Sequence, residues 1–549
     1  MTLPLSISTK WSSAAHRESS EKSHPGSDNP DLYSFTMKLL EGQSLTLPVV
    51  SSLLALWLLY RTILFFRFHH KYNFPNLVPG VPLFGNMLQI PTDTAERRLY
   101  LHKLAKKYGE LFTLKVGSNY WVFMNSQRVA NEILDKRGAR YISRQNLPMP
   151  GDVASGGKRV VFMPYGNLWK WERKVIHEII GPGNRNVFAP LQDVESRALL
   201  YQYLTEPDLW NQAHARYASS LIMSMVFGRR SKLGDPNVDR IIETNNEIMK
   251  MFEPGSNLID SFPFLASIPL PRSIQPWRWW GDSVFEQSKK NFTEEFESLA
   301  ERQRQGKDVT CFVSEFQRLG RDKSLDHEST VFLAGSLIEA GSDTTRVALN
   351  QLLAGAALFP DSVRRARQDL DEVCGANAER LPVAGDIANL PYIKAVSKEV
   401  LRWNISLPEI AHSLIEDDSF EGYNLPAGTN VIWNSWGVHM GESEYEQPDR
   451  FWPERFLNED LDKPLKGHLA FGAGRRVCPG WVIASNSLHL LTARVLYCFD
   501  FHTVPGHPIP VGKPFEIGTE KPYEVKVTVR SPAHAALIQR ECAEAANIE

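Results

Sequence analysis

The feature that most restricts the fold and chemistry of this chain is one cysteine in a glycine-rich turn before an apolar stretch. The turn runs from Phe471 to Gly480 with the sequence FGAGRRVCPG, and the stretch that follows it, WVIASNSLHLLTARVLYCF, reads as a helix. Glycine lets the backbone wrap closely around the Cys478 sulfur because it has no Cβ. Nearby amides and the positive end of the helix favour the thiolate over the thiol. The pattern predicts either a metal-binding or a nucleophilic sulfur.

Three interpretations of Cys478 remain open from these residues alone. A soft sulfur ligand on haem iron pushes electron density towards the metal and favours cleavage of the oxygen–oxygen bond. A nucleophilic cysteine would need a base nearby, and no Cys-His-Asn arrangement is evident in the sequence. An inert, buried cysteine would leave the spacing of Phe471, three glycines and Arg476 without an explanation.

Cysteine usage and charge exclude several classes of protein. The five cysteines are odd in number and widely spaced, with no C-x-x-C pair, so neither a disulfide framework nor a structural zinc site is expected. The chain has 61 basic and 63 acidic residues, a net charge of −2, so nothing in its balance points to nucleic acid as a partner.

The cysteine turn resembles the haem-binding loop of the cytochrome P-450 superfamily, which follows the pattern F-x-x-G-x-R-x-C-x-G. Phe471, Gly474, Arg476, Cys478 and Gly480 match every fixed place. The resemblance implies haem b with Cys478 as the axial iron ligand, Phe471 beside the sulfur and Arg476 on a haem propionate. It also implies a mainly α-helical fold with small β-sheets, in which haem lies between a long central helix and the helix after the cysteine loop.

A second motif lies inside the apolar run Ser329–Leu358, which is long enough for a helix of about eight turns. Ala340 and Gly341 remove side-chain bulk there, and the Thr344 hydroxyl can bond to a carbonyl one turn earlier, leaving room for a ligand or water. By itself such a stretch is more often a solvent-exposed polar turn of a core helix. It matches the superfamily pattern A/G-G-x-D/E-T-T/S, so the resemblance implies that Asp343 and Thr344 deliver protons during oxygen activation.

A third pattern combines Glu399 and Arg402, which are three residues apart and share a helix face, with the element Pro453–Phe456. E-x-x-R alone is too common to be informative. In the superfamily it precedes a P-E-R-F element, which is present here. The resemblance implies that Glu399, Arg402 and Arg455 form a structural ion network that serves folding and haem retention.

A fourth pattern concerns the haem propionates, which need cationic or hydrogen-bonding partners when they are buried. Trp169 and Arg173 lie four residues apart on one predicted helix face, as in the superfamily motif W-x-x-x-R. His412 occupies a place where related fungal enzymes carry Pro-His, although Ala411 replaces the proline. The resemblance implies propionate contacts for Trp169, Arg173 and His412, whereas a lone histidine is more often satisfied locally.

The N-terminal region predicts a membrane anchor. Residues 1–44 are rich in serine, histidine and charge and are expected to form a disordered tail. Residues 45–66 form an apolar run of about 22 residues, enough to span a bilayer, although a buried core helix is the alternative. Positive charge follows the run, which places the body in the cytoplasm, with the anchor in the endoplasmic reticulum membrane. Residues 67–94 form a proline-rich hinge and the start of the body, and residues 95–549 form the catalytic haem domain.

Two further segments are expected to lie near the substrate. Residues 254–280 contain several prolines and cannot form one continuous helix. They form either a packed loop or a lid whose Trp277, Trp279 and Trp280 lie at the membrane interface. Residues Asn146–Val161 are expected to cover the distal face of the haem.

These patterns together predict a haem-dependent monooxygenase that inserts one oxygen atom from O2 into a lipophilic small molecule. By its motif style the chain looks like fungal enzymes of terpenoid, polyketide or alkaloid biosynthesis. Electrons are expected from NADPH through a separate NADPH-cytochrome P-450 reductase, with cytochrome b5 as a second donor. The alternatives are an isomerase or dehydratase of the same fold that uses a peroxide substrate, against which Thr344 argues, and a non-catalytic haem-binding membrane protein.

Overall fold

The computed structural model describes residues 30–184, 186–253, 256–307, 309–321, 324–403, 411–511 and 522–547, with side chains from residue 48 onward. Residues 1–29 of the predicted tail and residues 254–255 of the tryptophan-rich segment lie outside the described residues. The chain divides into two compact units, one ending at Lys71 and the other beginning at Tyr72.

The first unit contains one long helix, α1, over Pro30–Lys71. The helix begins earlier than the predicted anchor, so residues 30–44, which composition assigns to a disordered tail, are helical. Its part Pro48–Lys71 comprises 24 residues, is apolar and long enough to cross a membrane, and is 0% buried. Because a core helix would be buried, this exposure favours the anchor over the alternative.

The second unit is mainly α-helical with small β-sheets, which confirms the predicted fold class. Its longest helix, α10, has 32 residues and begins two residues before the predicted run Ser329–Leu358. The helices are α2 Thr94–Tyr108, α3 Gln127–Ala130, α4 Asn167–Ile180, α5 Ala189–Thr205, α6 Trp210–Phe227, α7 Pro236–Met251, α8 Pro276–Arg304, α9 Phe312–Arg318, α10 His327–Leu358, α11 Pro360–Cys374, α12 Pro391–Arg402, α13 Ser435–His439, α14 Trp481–Cys498 and α15 Pro532–Cys542.

The strands form one five-stranded sheet and two hairpin-like pairs. The larger sheet has the order β1-β2-β7-β4-β3, with β2 and β7 parallel and the other neighbours antiparallel. The other sheets pair β5 with β6 and β8 with β9. The strands are β1 Leu111–Val116, β2 Asn119–Met124, β3 Ser143–Arg144, β4 His412–Ser413, β5 Asp418–Phe420, β6 Tyr423–Leu425, β7 Asn430–Trp433, β8 Phe499–Thr503 and β9 Val525–Val529.

Helix α10 runs through the core of the second unit and packs against α6 and α8. Small residues on α10 allow these neighbours to approach closely. A Cβ at Gly341 would lie 2.6 Å from Ile222 of α6, and one at Gly335 would lie 2.3 Å from the Phe292 ring of α8. The space that Gly341 leaves is therefore filled by α6, whereas the open space lies beside Ala340.

The tryptophan-rich segment is a chain of short turns followed by the start of α8, which agrees with the prediction that it is not one helix. Trp277 and Trp280 pack on a small apolar cluster, and the Trp280 indole N–H donates to Glu247 at 3.1 Å. Trp279 is 56% exposed. The structure thus packs two of the three indoles and exposes one.

Candidate active site

The cysteine turn is closed by its own backbone. The Cys478 N–H donates to the Phe471 carbonyl at 2.8 Å, so the residues between them form a tight loop that ends at α14. Burial raises the pKa of the Cys478 thiol, while the Gly480 N–H and the Arg173 guanidinium lower it. Donors that stabilise a thiolate are therefore in place, and a bound metal ion would complete the deprotonation.

Gly474 is required for the path of this turn. Its φ is +66°, and a Cβ there would lie 2.0 Å from the Leu134 carbonyl oxygen, so any other residue would clash with backbone. The Gly474 N–H donates to the Asp135 carboxylate at 2.7 Å. The short helical turn that contains Leu134 and Asp135 therefore supports the cysteine turn from outside.

Arg476 points away from solvent into the interior of the site. It donates to the carbonyls of Ile142 at 2.7 Å and Met163 at 2.9 Å, and its guanidinium carbon lies 3.9 Å from the centre of the Trp169 ring. Its Nη1 atom is buried and has no hydrogen-bond partner among the described residues. A donor of this kind is expected to face a group that is bound in the site.

Three more cationic or basic side chains converge on Arg476. Arg144 of β3 pairs with His412 of β4 across the sheet. Burial and the neighbouring guanidinium groups of Arg144 and Arg173 lower the pKa of Arg476 to about 8. Burial and Arg173 lower the pKa of Arg144 to about 10, and burial with Arg144 and Arg476 lowers that of His412 to about 3.

This cationic cluster, defined as Arg144, Arg173 and Arg476 with His412, fits two carboxylates of a bound group. Buried like charges repel and lose hydration, so their shared depression of pKa indicates that a balancing anion belongs among them. The orphaned Nη1 of Arg476 gives the same indication. The residues present therefore fit haem, whose propionates would supply that negative charge.

Two of the predicted propionate contacts have other partners as well. Arg173 donates to the carbonyl of Val477, the residue before Cys478, and so also braces the cysteine turn. His412 Nδ1 lies 3.0 Å from the Tyr141 carbonyl, which accounts for one side of its ring. Trp169 is buried beneath Arg476.

Thr344 lies on a stripe of α10 that is open within an otherwise buried helix. Ala340 and Thr344, four residues apart, are both exposed, while Ser342, Asp343 and Arg346 are buried. The Thr344 hydroxyl donates to the Ala340 carbonyl at 3.0 Å, which is the bond predicted from its place in the helix. An open stripe in the middle of a core helix indicates a cavity beside it.

Asp343 is held differently from the simple acid–alcohol pair predicted from sequence. Its carboxylate accepts from Arg346 Nε at 2.6 Å, and both side chains are buried. The spacing of three residues on one helix face accounts for this pair. Arg346 therefore holds the Asp343 carboxylate on the buried side of the helix.

The predicted ion network is assembled around Glu399. Arg402 donates to both oxygens of Glu399 at 2.7 Å, and both residues are 0% exposed. Arg455 Nε lies 3.4 Å from the same carboxylate, and the Trp452 N–H donates to it at 2.7 Å. The network joins α12 to the segment that leads into the cysteine turn.

Two charged residues, the buried Glu172 and Arg144 of the cationic cluster, were not singled out from the sequence. Glu172 is 0% exposed, and neither of its carboxylate oxygens has a partner within the described ranges. Burial is the main cause that raises its pKa to about 8. A signal for it existed, because helical spacing places Glu172 on the same apolar face of α4 as Trp169, Ile176 and Ile179. Arg144 carried no comparable signal, because only pairing between β3 and β4 brings it to the cluster.

Comparisons with known proteins agree with this geometry. The family model described as Cytochrome P-450 matches residues 75–527, which is most of the second unit.

Curated fungal proteins are similar over most of the chain. "Cytochrome P-450 monooxygenase verL" of Clonostachys rogersoniana is 33% identical over 486 residues, covering 85% of this chain and 89% of the relative. "Cytochrome P-450 monooxygenase aneD" of Aspergillus aculeatus is 32% identical over 492 residues, covering 87% and 92%. "Cytochrome P-450 monooxygenase astF" of Aspergillus oryzae is 32% identical over 464 residues, covering 84% and 85%.

Proposed function

Because the chain belongs to the cytochrome P-450 family and is a haem-dependent monooxygenase, we propose that Cys478 is its iron ligand and that its substrate is a lipophilic small molecule of fungal secondary metabolism. The observation that carries the proposal is the cationic cluster, which lies beside the only described cysteine with a donor-rich turn. Burying these cations is unfavourable unless a dianionic group is bound among them.

The proposal assigns each side chain a task. Cys478 offers its sulfur, and the Gly480 N–H together with Arg173 stabilises the negative charge on it. Arg476, Arg173, Trp169 and His412 hold the propionates, with Arg144 as a further partner. Phe471 and Gly474 maintain the turn. Haem bound here supplies the redox chemistry that activates O2, with electrons from NADPH through a reductase.

Asp343 and Thr344 move protons in the proposed reaction. The Thr344 hydroxyl faces the open stripe of α10, where it can donate a proton and recover one from its neighbours. When Asp343 exchanges its contact with Arg346, it takes up a proton from water on the buried side and passes that proton to Thr344. Arg346 thereby keeps the carboxylate oriented between turnovers.

The electron donors are proposed to be NADPH-cytochrome P-450 reductase and cytochrome b5. A reductase is the redox partner that the family implies. The basic residues His69, His70 and Lys71 at the end of Pro48–Lys71 favour an endoplasmic reticulum anchor with the body in the cytoplasm, where such a reductase can meet it. The two alternatives drawn from the sequence are not favoured, because the similar fungal proteins are named monooxygenases.

The test uses the full chain, expressed with ample haem precursor and combined with a fungal reductase. We expect a haem protein whose reduced carbon monoxide spectrum has the Soret position of a thiolate ligand. With isotopically labelled O2 and candidate terpenoids, polyketides and alkaloids, one substrate should gain a single labelled oxygen atom. A pure, folded and colourless chain would contradict the proposal.

A further inference from the structure

Besides Asp343–Arg346 and Glu399–Arg402, the described residues contain a buried ion pair to which no role has yet been assigned. Arg159 belongs to the segment Asn146–Val161, which we name the distal segment, and Glu339 belongs to α10. Arg159 donates to the two Glu339 oxygens at 2.9 Å through Nε and Nη2, and the side chains are 1% and 8% exposed. Such bidentate geometry is strong and directional.

The same guanidinium joins three parts of the structure. It donates to the Ala154 carbonyl at 2.8 Å inside the distal segment and to Ser288 of α8 at 2.7 Å. Its carbon lies 5.3 Å from the centre of the Phe332 ring of α10. Arg159 therefore closes the distal segment on itself and joins it to α8 and α10, while Lys158 of the same segment contacts Ser329 and Glu328 in the first turn of α10.

Glu339 holds the other end of this contact beside the open stripe of α10. It is followed directly by Ala340, whose carbonyl accepts from Thr344. A movement of Arg159 away from Glu339 would therefore move the distal segment away from the turn of α10 that carries the proton-delivering hydroxyl. The pair connects the outer cover of the site with its reacting region.

The distal segment contains a turn of two glycines. Gly156 and Gly157 have φ values of +56° and +69°, a conformation that glycine adopts readily. A further anchor is the Met149 N–H, which donates to Asp260 at 2.9 Å. A cavity of about 260 Å³ lies against the distal segment. Its lining includes Gln145, Leu147, Gly151, Gly157, Arg159 and Phe162.

We propose that the Arg159–Glu339 ion pair is a positioning latch that holds the distal segment on α10 and so limits the size of molecule that reaches the site. A buried ion pair is weak as a source of stability, because the desolvation of both charges offsets their attraction. The Arg159–Glu339 pair instead selects one arrangement of the distal segment, which contains a glycine turn and borders a cavity. The proposal rests on the function proposed above, since it concerns access to the same site.

The first test measures access with two haem ligands of different size, imidazole and phenylimidazole, on the full chain. Arg159→Met should raise the association rate of phenylimidazole at least about fivefold and change that of imidazole less than about twofold. Hydrogen exchange of peptides from the distal segment should also become faster. Arg159→Lys keeps the charge but loses the bidentate contact. Its association rate with phenylimidazole should lie between those of the original chain and Arg159→Met.

A control and a rescue separate the latch from general stability. Arg229→Met breaks a comparable bidentate pair with Glu295 of α8, which is 0% exposed. Within the described residues, neither side chain forms a hydrogen bond with the distal segment. Arg229→Met should lower thermal stability and leave the phenylimidazole rate unchanged. The double variant Arg159→Met with Glu339→Leu removes both charges, so it should recover stability and still admit phenylimidazole quickly.

Unchanged phenylimidazole association and unchanged exchange of the distal segment in the double variant would overturn the latch. The double variant keeps that outcome accessible if Arg159→Met alone does not fold. Failure of the proposed function is a different result, because a chain that binds no haem would still report the latch through hydrogen exchange.

Discussion

Burying a cation without a matching anion costs free energy. Three arginines nevertheless lie around the one cysteine turn of this chain. Arg476 carries the clearest sign of a missing partner, because its Nη1 is buried and unpaired within the described residues. Arg144 and Arg173 add positive charge within interaction range. At this scale the cofactor is inferred from an imbalance of charge, independently of the cysteine motif.

The first prediction concerns the sulfur itself. Cys478→Ala and Cys478→His should abolish monooxygenation, because neither side chain supplies an anionic soft ligand. The Soret position of the reduced carbon monoxide complex and turnover with labelled O2 measure the effect. Cys498→Ala is the matched control, since this cysteine is buried in α14 away from the turn and should leave the spectrum unchanged. Retained turnover in Cys478→Ala would contradict the assignment.

The second prediction concerns Glu172. Because burial raises its pKa to about 8, the unfolded chain ionises this carboxyl at lower pH than the folded chain does. Raising the pH from about 5 to about 8 should therefore favour unfolding, by up to about 3 kcal/mol at pH 7. Glu172→Gln should remove this dependence and stabilise the protein at pH 7 to 8, as measured by denaturant unfolding across that range.

A control on the same helix shows whether the effect belongs to burial. Glu178 is at the surface end of α4 and pairs with Arg321 at 3.0 Å. Glu178→Gln makes the same substitution at the surface of α4, so it separates the effect of burial from that of the amide. A Glu172→Gln variant with the slope of the original chain would show that this carboxyl ionises freely in the folded state.

At the scale of elements, α10 combines a packed core with one open stripe. The buried positions of α10 pack against α6 and α8. Ala340 and Thr344 are exposed and leave a gap along another face of the helix. Such a helix can carry a reacting hydroxyl without losing its support, because packing on its other faces holds the backbone. The bond from Thr344 to the Ala340 carbonyl orients the hydroxyl along the stripe.

The third prediction follows from this arrangement. Thr344→Ala removes the hydroxyl and should lower the yield of product per NADPH at least about fivefold, while NADPH use continues and hydrogen peroxide is released. Ser336→Ala is the matched control, because the Ser336 hydroxyl makes the same type of bond to Phe332 at 2.7 Å but is buried two turns earlier. Full coupling in Thr344→Ala would exclude this threonine from proton delivery.

At the scale of the whole molecule, the two units have separate tasks. Hydrogen bonds within the second unit begin at its first residue. The Tyr72 hydroxyl donates to Asp417 at 2.8 Å, and the Asn424 N–H donates to Asn73 at 2.8 Å. Helix α1 is exposed over its apolar part. A cut before Tyr72 should therefore leave the catalytic unit folded.

The fourth prediction uses that cut. A chain that begins at Tyr72 should still bind haem. Alkali should extract it from membranes, whereas the full chain should require detergent. Some adherence is expected, because Leu83, Leu88, Phe264 and Trp279 remain exposed on the body. A truncated chain that still needs detergent would show that α1 is not the main anchor.

Much of the fold and the site is readable from local sequence. The helix α10 and the cysteine turn depend on periodicity and glycine spacing, which are properties of neighbouring residues. The pairing of Glu399 with Arg402 depends on helical spacing in the same way. Residues 30–44 are helical although their composition predicts disorder. They form the first part of α1, which continues into the apolar run.

The amino-acid order alone predicted the reaction chemistry, because the proposed haem ligand, its turn and the proposed proton-delivering pair each depend on about ten neighbouring positions. Only the tertiary structure decided which distant charges meet. Arg144 joins Arg476 through strand pairing, and Arg159 reaches Glu339 across 180 positions of chain. Side chains far apart in sequence come together only when burial of apolar surface brings their elements into contact, and no local pattern records that outcome.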